Sequence, residues 1–108
     1  MLTKEELIEK GLMPKDVDDY WEYKDGLKYL KDGKWTLKLF DNTVLCENVD
    51  DCYLYKNGFE SKKDGKYTLK LFDSTILCDG VDACSLYDND FEYEKDGEIY
   101  YENIKGDK

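Results

Sequence analysis

The sequence predicts a mainly β fold: three tandem 32-residue antiparallel β-hairpin repeats, forming a meander or a solenoid-like sheet, with a short N-terminal capping helix. Three observations predict it. The sequence repeats itself at a constant offset, Asp-Gly and Asn-Gly pairs recur at short intervals, and apolar residues alternate with polar ones between these pairs. Alternation with a period of two indicates strands, and such pairs indicate tight hairpin turns.

The internal repeat needs no gaps. Residues 31–60 and 63–92 are identical at 21 of 30 positions. The same offset carried backwards aligns Val17 with Val49 and Val81, which reveals a third, diverged copy. We therefore predict a single domain, 1–108, with a helical cap and lead-in at 1–16, repeat 1 at 17–48, repeat 2 at 49–80 and a truncated repeat 3 at 81–108.

The strands are predicted from segments such as residues 35–39. Trp35, Leu37 and Leu39 alternate with polar residues, so they share one face of a strand, and residues 67–71 repeat the pattern. An outer strand without a neighbour needs protection by charge or by dimerisation. The charged residues available for this are Glu92, Glu94, Lys95 and Glu98.

A short helix is predicted near residues 4–10. Thr3 and Glu6 form a capping-box pattern at its start. Helices this short are marginal by themselves. We therefore expect Leu7 and Ile8 to pack over the end of the first repeat, because repeat arrays need caps that cover their terminal apolar face.

The composition argues against several function classes. The chain has 26 Asp and Glu, 16 Lys, no Arg and no His, so its net charge is −10. Nucleic-acid affinity comes mainly from Lys and Arg, so direct nucleic-acid binding is not expected. Without His there is no ordinary proton shuttle near neutral pH, and we expect no enzyme activity. No apolar run of about 18 residues and no secretory signal appear, which predicts no membrane partner and a cytoplasmic location, or the host cytoplasm if a phage encodes the chain.

The four cysteines form two pairs with the same internal spacing. They are Cys46 with Cys52 and Cys78 with Cys84, one repeat period apart. A zinc site and a disulfide between stacked units are both open, but this spacing is wider than the separation that structural zinc ligands usually have. The repeat alone explains the spacing. We expect buried free thiols, with no metal and no cofactor.

Acidic residues and tyrosines are the candidate partner-binding residues. Asp18, Asp50 and Asp82 recur at one position of the repeat, so stacked repeats would align them as a ladder of negative charge. Turn formation, solvation and calcium binding are the alternatives. Tyrosine suits interfaces because it combines apolar area with a hydroxyl group. The candidate residues are Asp18, Asp19, Glu47, Asp50, Asp51, Asp79, Asp82, Tyr53, Tyr100 and Tyr101.

One family resemblance rests on short motifs. Gly33-Lys34-Trp35 and Gly65-Lys66-Tyr67, each followed by Val-Asp-Asp or Val-Asp-Ala and then by Asn-Gly-Phe-Glu or its variant, resemble the WG-type β repeats of bacterial proteins. The resemblance covers roughly residues 17–100. It departs where Thr36 and Thr68 replace the glycine of the family motif. It implies β-hairpin repeats and no fixed activity.

In size, acidity and lack of catalytic residues, the chain is similar to phage-encoded inhibitors of bacterial defence, including anti-CRISPR proteins. We therefore expect a non-enzymatic, acidic protein-binding inhibitor. Its partner would be a basic nucleic-acid-binding protein, such as a CRISPR effector or another defence nuclease, whose groove it occupies. The alternative is a WG-like scaffold or adaptor module that binds another protein or self-associates as a homo-oligomer.

Overall fold

A computed structural model describes residues 2–104 and confirms a mainly β chain with antiparallel hairpins and a short N-terminal helix. No helix among these residues has the length and apolar character needed to cross a membrane. The elements are α1 (Lys4–Glu9), β1 (Asp19–Glu22), β2 (Gly26–Lys31), β3 (Lys34–Leu39), β4 (Val44–Val49), β5 (Asp51–Leu54), β6 (Gly58–Lys63), β7 (Lys66–Leu71), β8 (Ile76–Val81), β9 (Ala83–Leu86), β10 (Asp90–Lys95) and β11 (Glu98–Asn103).

Helix α1 begins with the predicted capping box. The Glu6 backbone N–H donates to Thr3 Oγ1 at 3.1 Å, and the Thr3 N–H donates to Glu6 Oε1 at 2.8 Å. Leu7, which has 0% exposure, packs with the buried Leu12, Met13 and Leu27. The predicted packing of the helix is therefore confirmed.

The chain forms two compact units, Met1–Leu54 and Tyr55–Lys108. In the first unit, β1 to β4 form an antiparallel sheet in which sequence neighbours pair. Strand β5 follows β4 after a single residue and packs on β2 and β3.

In the second unit, β6, β7 and β8 pair in the same antiparallel order. Strands β9, β10 and β11 form a three-stranded sheet with the order β11-β10-β9. The hydrophobic core of this unit consists of Leu69, Cys78, Val81, Leu86 and Phe91.

Strand positions recur in both units with the period of the sequence repeat. Strands β2, β6 and β10 begin at residues 26, 58 and 90, and β3, β7 and β11 begin at 34, 66 and 98. The number of repeats and their boundaries stay predictions. The last residues of predicted repeat 3, 105–108, lie outside the described part of the chain.

The glycine-containing turns divide into two kinds. Asp32 and Gly33, between β2 and β3, have φ of 53° and 80°, and the two equivalent Asp-Gly turns have nearly the same angles. Both central residues thus have the positive φ that a tight hairpin needs. Gly26 and Gly58 also follow bends of the chain, but they begin strands and do not have positive φ. Space, rather than φ, requires glycine there, because a Cβ on Gly26 would collide with the backbone oxygen of Lys38.

Candidate protein-interaction surface

The repeated aspartates hold hairpin turns. Asp18 Oδ2 accepts a hydrogen bond from the Asp32 backbone N–H at 3.0 Å, and Asp82 Oδ2 accepts one from Asp96 N–H at 3.1 Å. Asp32 and Asp96 are the positive-φ residues of their turns that are not glycine. The carboxylate therefore stabilises a turn conformation that only a few residue types adopt readily.

Asp50 and Asp82 also occupy sharp corners of the chain. Each is the single residue between two strands, β4 and β5 or β8 and β9. Lys34 Nζ contacts Asp50 Oδ1 at 2.6 Å, and Lys66 Nζ contacts Asp82 Oδ1. The hydrogen bond with Lys66 lowers the pKa of Asp82, and the same contact raises the pKa of Lys66. These ion pairs fasten each corner to the start of a neighbouring strand.

Three of the four remaining predicted acidic residues accept hydrogen bonds, and the fourth lines a cleft. Asp51 Oδ1 accepts from Lys28 Nζ at 3.0 Å, and Asp79 Oδ1 accepts from Thr68 Oγ1 at 2.6 Å. Asp19 accepts from the Tyr20 backbone N–H at 2.8 Å. Glu47 lines an open cleft. All seven predicted acidic residues are exposed.

The structure brings part of the predicted acidic set together around the β2–β3 turn of the first unit. A cleft of about 400 Å³ there is lined by residues of both charges, including Lys31, Asp32, Lys34 and Glu47. Lys31 also pairs with Asp16 at 2.6 Å, which lowers the pKa of Asp16. This region is a network of mixed charge, because lysines stand between the carboxylates. The ladder through Asp18, Asp50 and Asp82 stays a prediction.

The predicted tyrosines lie in ring pairs. Tyr53 is 48% exposed and meets Tyr23 edge-on, with the ring centroids 5.4 Å apart. Tyr101 is 65% exposed and stacks on Tyr87 at 6.2 Å. Tyr53 and Tyr101 therefore offer exposed aromatic surface.

Tyr100 differs from the other two predicted tyrosines. It stacks on Tyr93 at 5.0 Å and is half-buried. Its ring is thus a smaller candidate contact than those of Tyr53 and Tyr101.

An aromatic groove in the first unit was missed by the sequence analysis. Trp21, Tyr23, Trp35 and Tyr53 line an open groove of about 360 Å³. Lys28 Nζ lies 4.6 Å from the centre of the Trp35 ring, within the range of a cation–π interaction. A sequence signal existed, because Trp21 and Tyr53 are one repeat period apart and are exposed on equivalent strands.

The cysteines are free thiols that interact in two pairs. The hydrogen bond with Cys46, together with burial, raises the pKa of the Cys52 thiol. The hydrogen bond between Cys78 and Cys84 raises the pKa of Cys84 and lowers that of Cys78. Cys52 and Cys78 are buried. Within residues 2–104, no three His, Cys, Asp or Glu side chains are grouped so that they could hold a metal ion.

The fold and these surfaces define an antiparallel β chain with an acidic exterior and exposed aromatic residues. No protein-family model, no curated protein and no solved structure matches the chain. The resemblance to WG-type repeats and the similarity to anti-CRISPR inhibitors therefore stay at the level of motif and character.

Proposed function

We propose that this chain is a non-enzymatic, acidic protein-binding inhibitor that occupies the basic nucleic-acid-binding groove of a target protein. The observation that carries the proposal is the excess of carboxylates, 26 against 16 lysines, with every predicted acidic contact residue on the surface. A basic groove normally holds regularly spaced phosphates. An acidic surface of complementary potential accelerates encounter with such a groove.

The tyrosines would supply the short-range part of binding. Charge at the rim of an interface mainly changes the association rate, whereas buried aromatic residues supply much of the affinity. Tyr53 and Tyr101 have the required exposure, and their partners Tyr23 and Tyr87 limit their freedom. Holding these rings in place before binding reduces the entropy lost on association.

A capture experiment tests this proposal. The tagged protein is incubated with nuclease-treated bacterial lysate, eluted with increasing salt, and its partners are identified by mass spectrometry. We expect a basic nucleic-acid-binding protein, such as a CRISPR effector or another defence nuclease, that is released as the salt rises. Purified partner is then assayed for nucleic-acid binding, which the chain should block by competition.

A charge-matched pair of variants tests the acidic residues. One variant carries Asp18→Asn, Asp50→Asn and Asp82→Asn, and the control carries Glu9→Gln, Asp25→Asn and Asp88→Asn. Asparagine keeps a side-chain oxygen that can accept the turn hydrogen bond, while both variants lose the same charge. The first variant should associate about tenfold more slowly than the control at low salt. Equal association rates would show that the repeated aspartates serve only the fold.

A second candidate function is a WG-like scaffold or adaptor module that self-associates. The exposed apolar residues on β11, Ile99 and Tyr101, favour it, because exposed strands pair readily with other strands. Sedimentation over a range of protein concentrations distinguishes the two functions. A homo-oligomer that binds no basic partner would support the scaffold.

A further inference from the structure

The outer face of the sheet formed by β9, β10 and β11 carries large exposed apolar side chains. Ile99 and Tyr101 of β11 are 71% and 65% exposed. Glu94 and Glu92 of β10 lie directly opposite them in the antiparallel register, on the same face. We call these residues, together with Glu98 and Glu102, which alternate with them and so lie on the opposite face of β11, the edge surface.

Equivalent positions in the other strands are covered. Leu37 in β3 and Leu69 in β7 stand where Tyr101 stands in β11, and both have 0% exposure. Strand β4 pairs with β3 on the side away from β2, and β5 packs on the face of β3. In the same way, β8 pairs with β7 on the side away from β6, and β9 packs on the face of β7. Strand β11 has β10 on one side, and no other strand among residues 2–104 pairs with it.

A second position on this face differs between the strands in the same way. Gly26 and Gly58 begin β2 and β6, and the equivalent residue in β10 is Asp90. A Cβ on Gly58 would lie 2.8 Å from the Leu86 side chain of β9 and would collide with the Lys70 backbone. Asp90 already carries a side chain at this position, and its carboxylate accepts a hydrogen bond from Asn103 at 3.1 Å.

The charges of the edge surface are reversed relative to the covered strands. Lys34 and Lys66 begin β3 and β7, and they pair with the corner aspartates Asp50 and Asp82. The equivalent residue in β11 is Glu98. Glu102 likewise replaces Lys38 and Lys70. Within residues 2–104, neither glutamate forms an ion pair.

This reversal decides which kind of strand fits. Asp50 and Asp82 directly follow the covering strands β4 and β8, so the same strand of a second copy would bring a carboxylate against Glu98. Like charges directly opposite each other destabilise a strand pair, and opposite charges stabilise it. A strand with lysine or arginine at alternate positions would instead place its positive charges on the face of Glu98 and Glu102.

We propose that the edge surface binds an extended, basic segment of a partner protein, which pairs with β11 as an added strand. Backbone hydrogen bonds to β11 would supply affinity, and alternate side chains would supply selectivity. Apolar side chains of the segment would lie beside Ile99 and Tyr101 on one face, and its lysines or arginines would lie beside Glu98 and Glu102 on the other face. The inference rests on the proposed function in requiring a basic partner, but it does not use the repeated aspartates.

A synthetic peptide tests the proposal directly. The probe is a labelled peptide of about eight residues, slightly longer than a typical strand, in which lysine alternates with valine. Two control peptides replace lysine by glutamate or place proline in the centre, where it cannot donate to a strand ladder. Binding is measured by fluorescence anisotropy, and backbone amide shifts of the intact, isotope-labelled protein locate it. We expect only the lysine–valine peptide to bind, with the largest shifts in residues 98–103.

Charge-reversal variants separate the edge surface from general attraction. Glu98→Lys with Glu102→Lys reverses the edge, and Glu9→Lys with Asp25→Lys makes the same change in net charge elsewhere. The edge variant should lose at least about tenfold in affinity for the lysine–valine peptide, and the control should lose much less. The edge variant should also gain binding to the glutamate–valine peptide.

Several outcomes would overturn the proposal. They are equal losses in both variants, amide shifts that bypass β11, or no peptide binding to the unaltered protein. Sedimentation provides a further test, because a dimer abolished by Tyr101→Lys would make a second copy the occupant. The peptide data on the unaltered protein decide the matter even if a variant does not fold. Failure of the lysate capture would reject the proposed function, whereas failure of the peptide would reject the edge surface alone.

Discussion

The two terminal regions of the described chain differ in the exposure of their apolar side chains. In the N-terminal region, Leu7 of helix α1 packs in a cluster with Leu27 of β2, and both have 0% exposure. In the C-terminal region, β11 leaves Ile99 at 71% exposure, beside Glu94 and Glu98. Apolar side chains are therefore buried in the N-terminal region, whereas in the C-terminal region they are exposed next to charged side chains.

This difference shows that a repeated strand pattern does not by itself decide burial. Leu37, Leu69 and Tyr101 occupy equivalent positions on strands of the same length. Only the first two are covered, because a further strand follows and packs on them. Charged residues at an exposed edge oppose pairing with identical chains, which is the protection that the sequence predicts.

Removing apolar atoms in the two regions should give the largest difference in the free energy of unfolding. Leu7→Ala should lower the free energy of unfolding by about 2–5 kcal/mol, because it leaves a cavity among buried side chains. Ile99→Ala should change it by less than about 0.5 kcal/mol, because the side chain is mostly in water. Urea denaturation followed by circular dichroism measures both. A comparable loss in Ile99→Ala would mean that Ile99 is covered in solution.

The first position of β6, compared with the first position of β10, should give the next largest difference in stability. Gly58→Ala should destabilise the protein by about 1–3 kcal/mol, since the new methyl group meets the Lys70 backbone and the Leu86 side chain. Asp90→Ala places the same methyl group at the equivalent position, where Asp90 already carries a Cβ, and should cost less. Thermal unfolding of the two variants compares them. An equal shift in Tm would contradict the view that the face at Asp90 is open.

The N-cap of α1 should contribute a smaller amount. Thr3→Ala removes the side chain that accepts the Glu6 N–H and should cost about 1 kcal/mol. Thr3→Ser keeps the hydroxyl group and serves as the control. Urea denaturation checks the difference, which should appear together with reduced protection of the α1 amides against hydrogen exchange. If the two variants are equally stable, the capping box does not hold the helix.

The smallest expected effect is the acid response of the Asp82 corner. The hydrogen bond with Lys66 lowers the pKa of Asp82 from its ordinary value of 3.8. A lowered folded-state pKa contributes stability above the unfolded value, and this stability is lost as the pH falls through the folded value. Stability should therefore decline below about pH 4. Asp82→Asn should weaken this decline, as measured by urea denaturation between about pH 2 and pH 6. An unchanged pH profile would exclude a contribution from this ion pair.

Much of the local structure could be predicted from residues close together in sequence. The capping box of Thr3 and Glu6, the Asp-Gly turns and the alternation around Leu37 each depend on near neighbours in the chain. The repeat offset of 32 also aligns Leu27, Phe59 and Phe91, and all three are buried.

The interaction surfaces were predicted less completely. Asp18 and Asp82 were selected as exposed acidic residues, and they are exposed, but their carboxylates also accept hydrogen bonds from turn residues 14 positions away. The pairing of Lys34 with Asp50 spans 16 positions. Sequence alone does not reveal such partners, because strand pairing and chain corners bring them together.

The sequence by itself determined the strand class, the repeat period, the helical cap and the acidic charge, because these follow from composition and local spacing. Only the tertiary structure decided which equivalent residues are covered: Leu37 and Leu69 are buried, whereas Tyr101 is exposed. It also decided that Gly26 serves close packing rather than a turn with positive φ. The physical reason is that burial depends on which strand packs above a residue, and that strand can be distant in sequence.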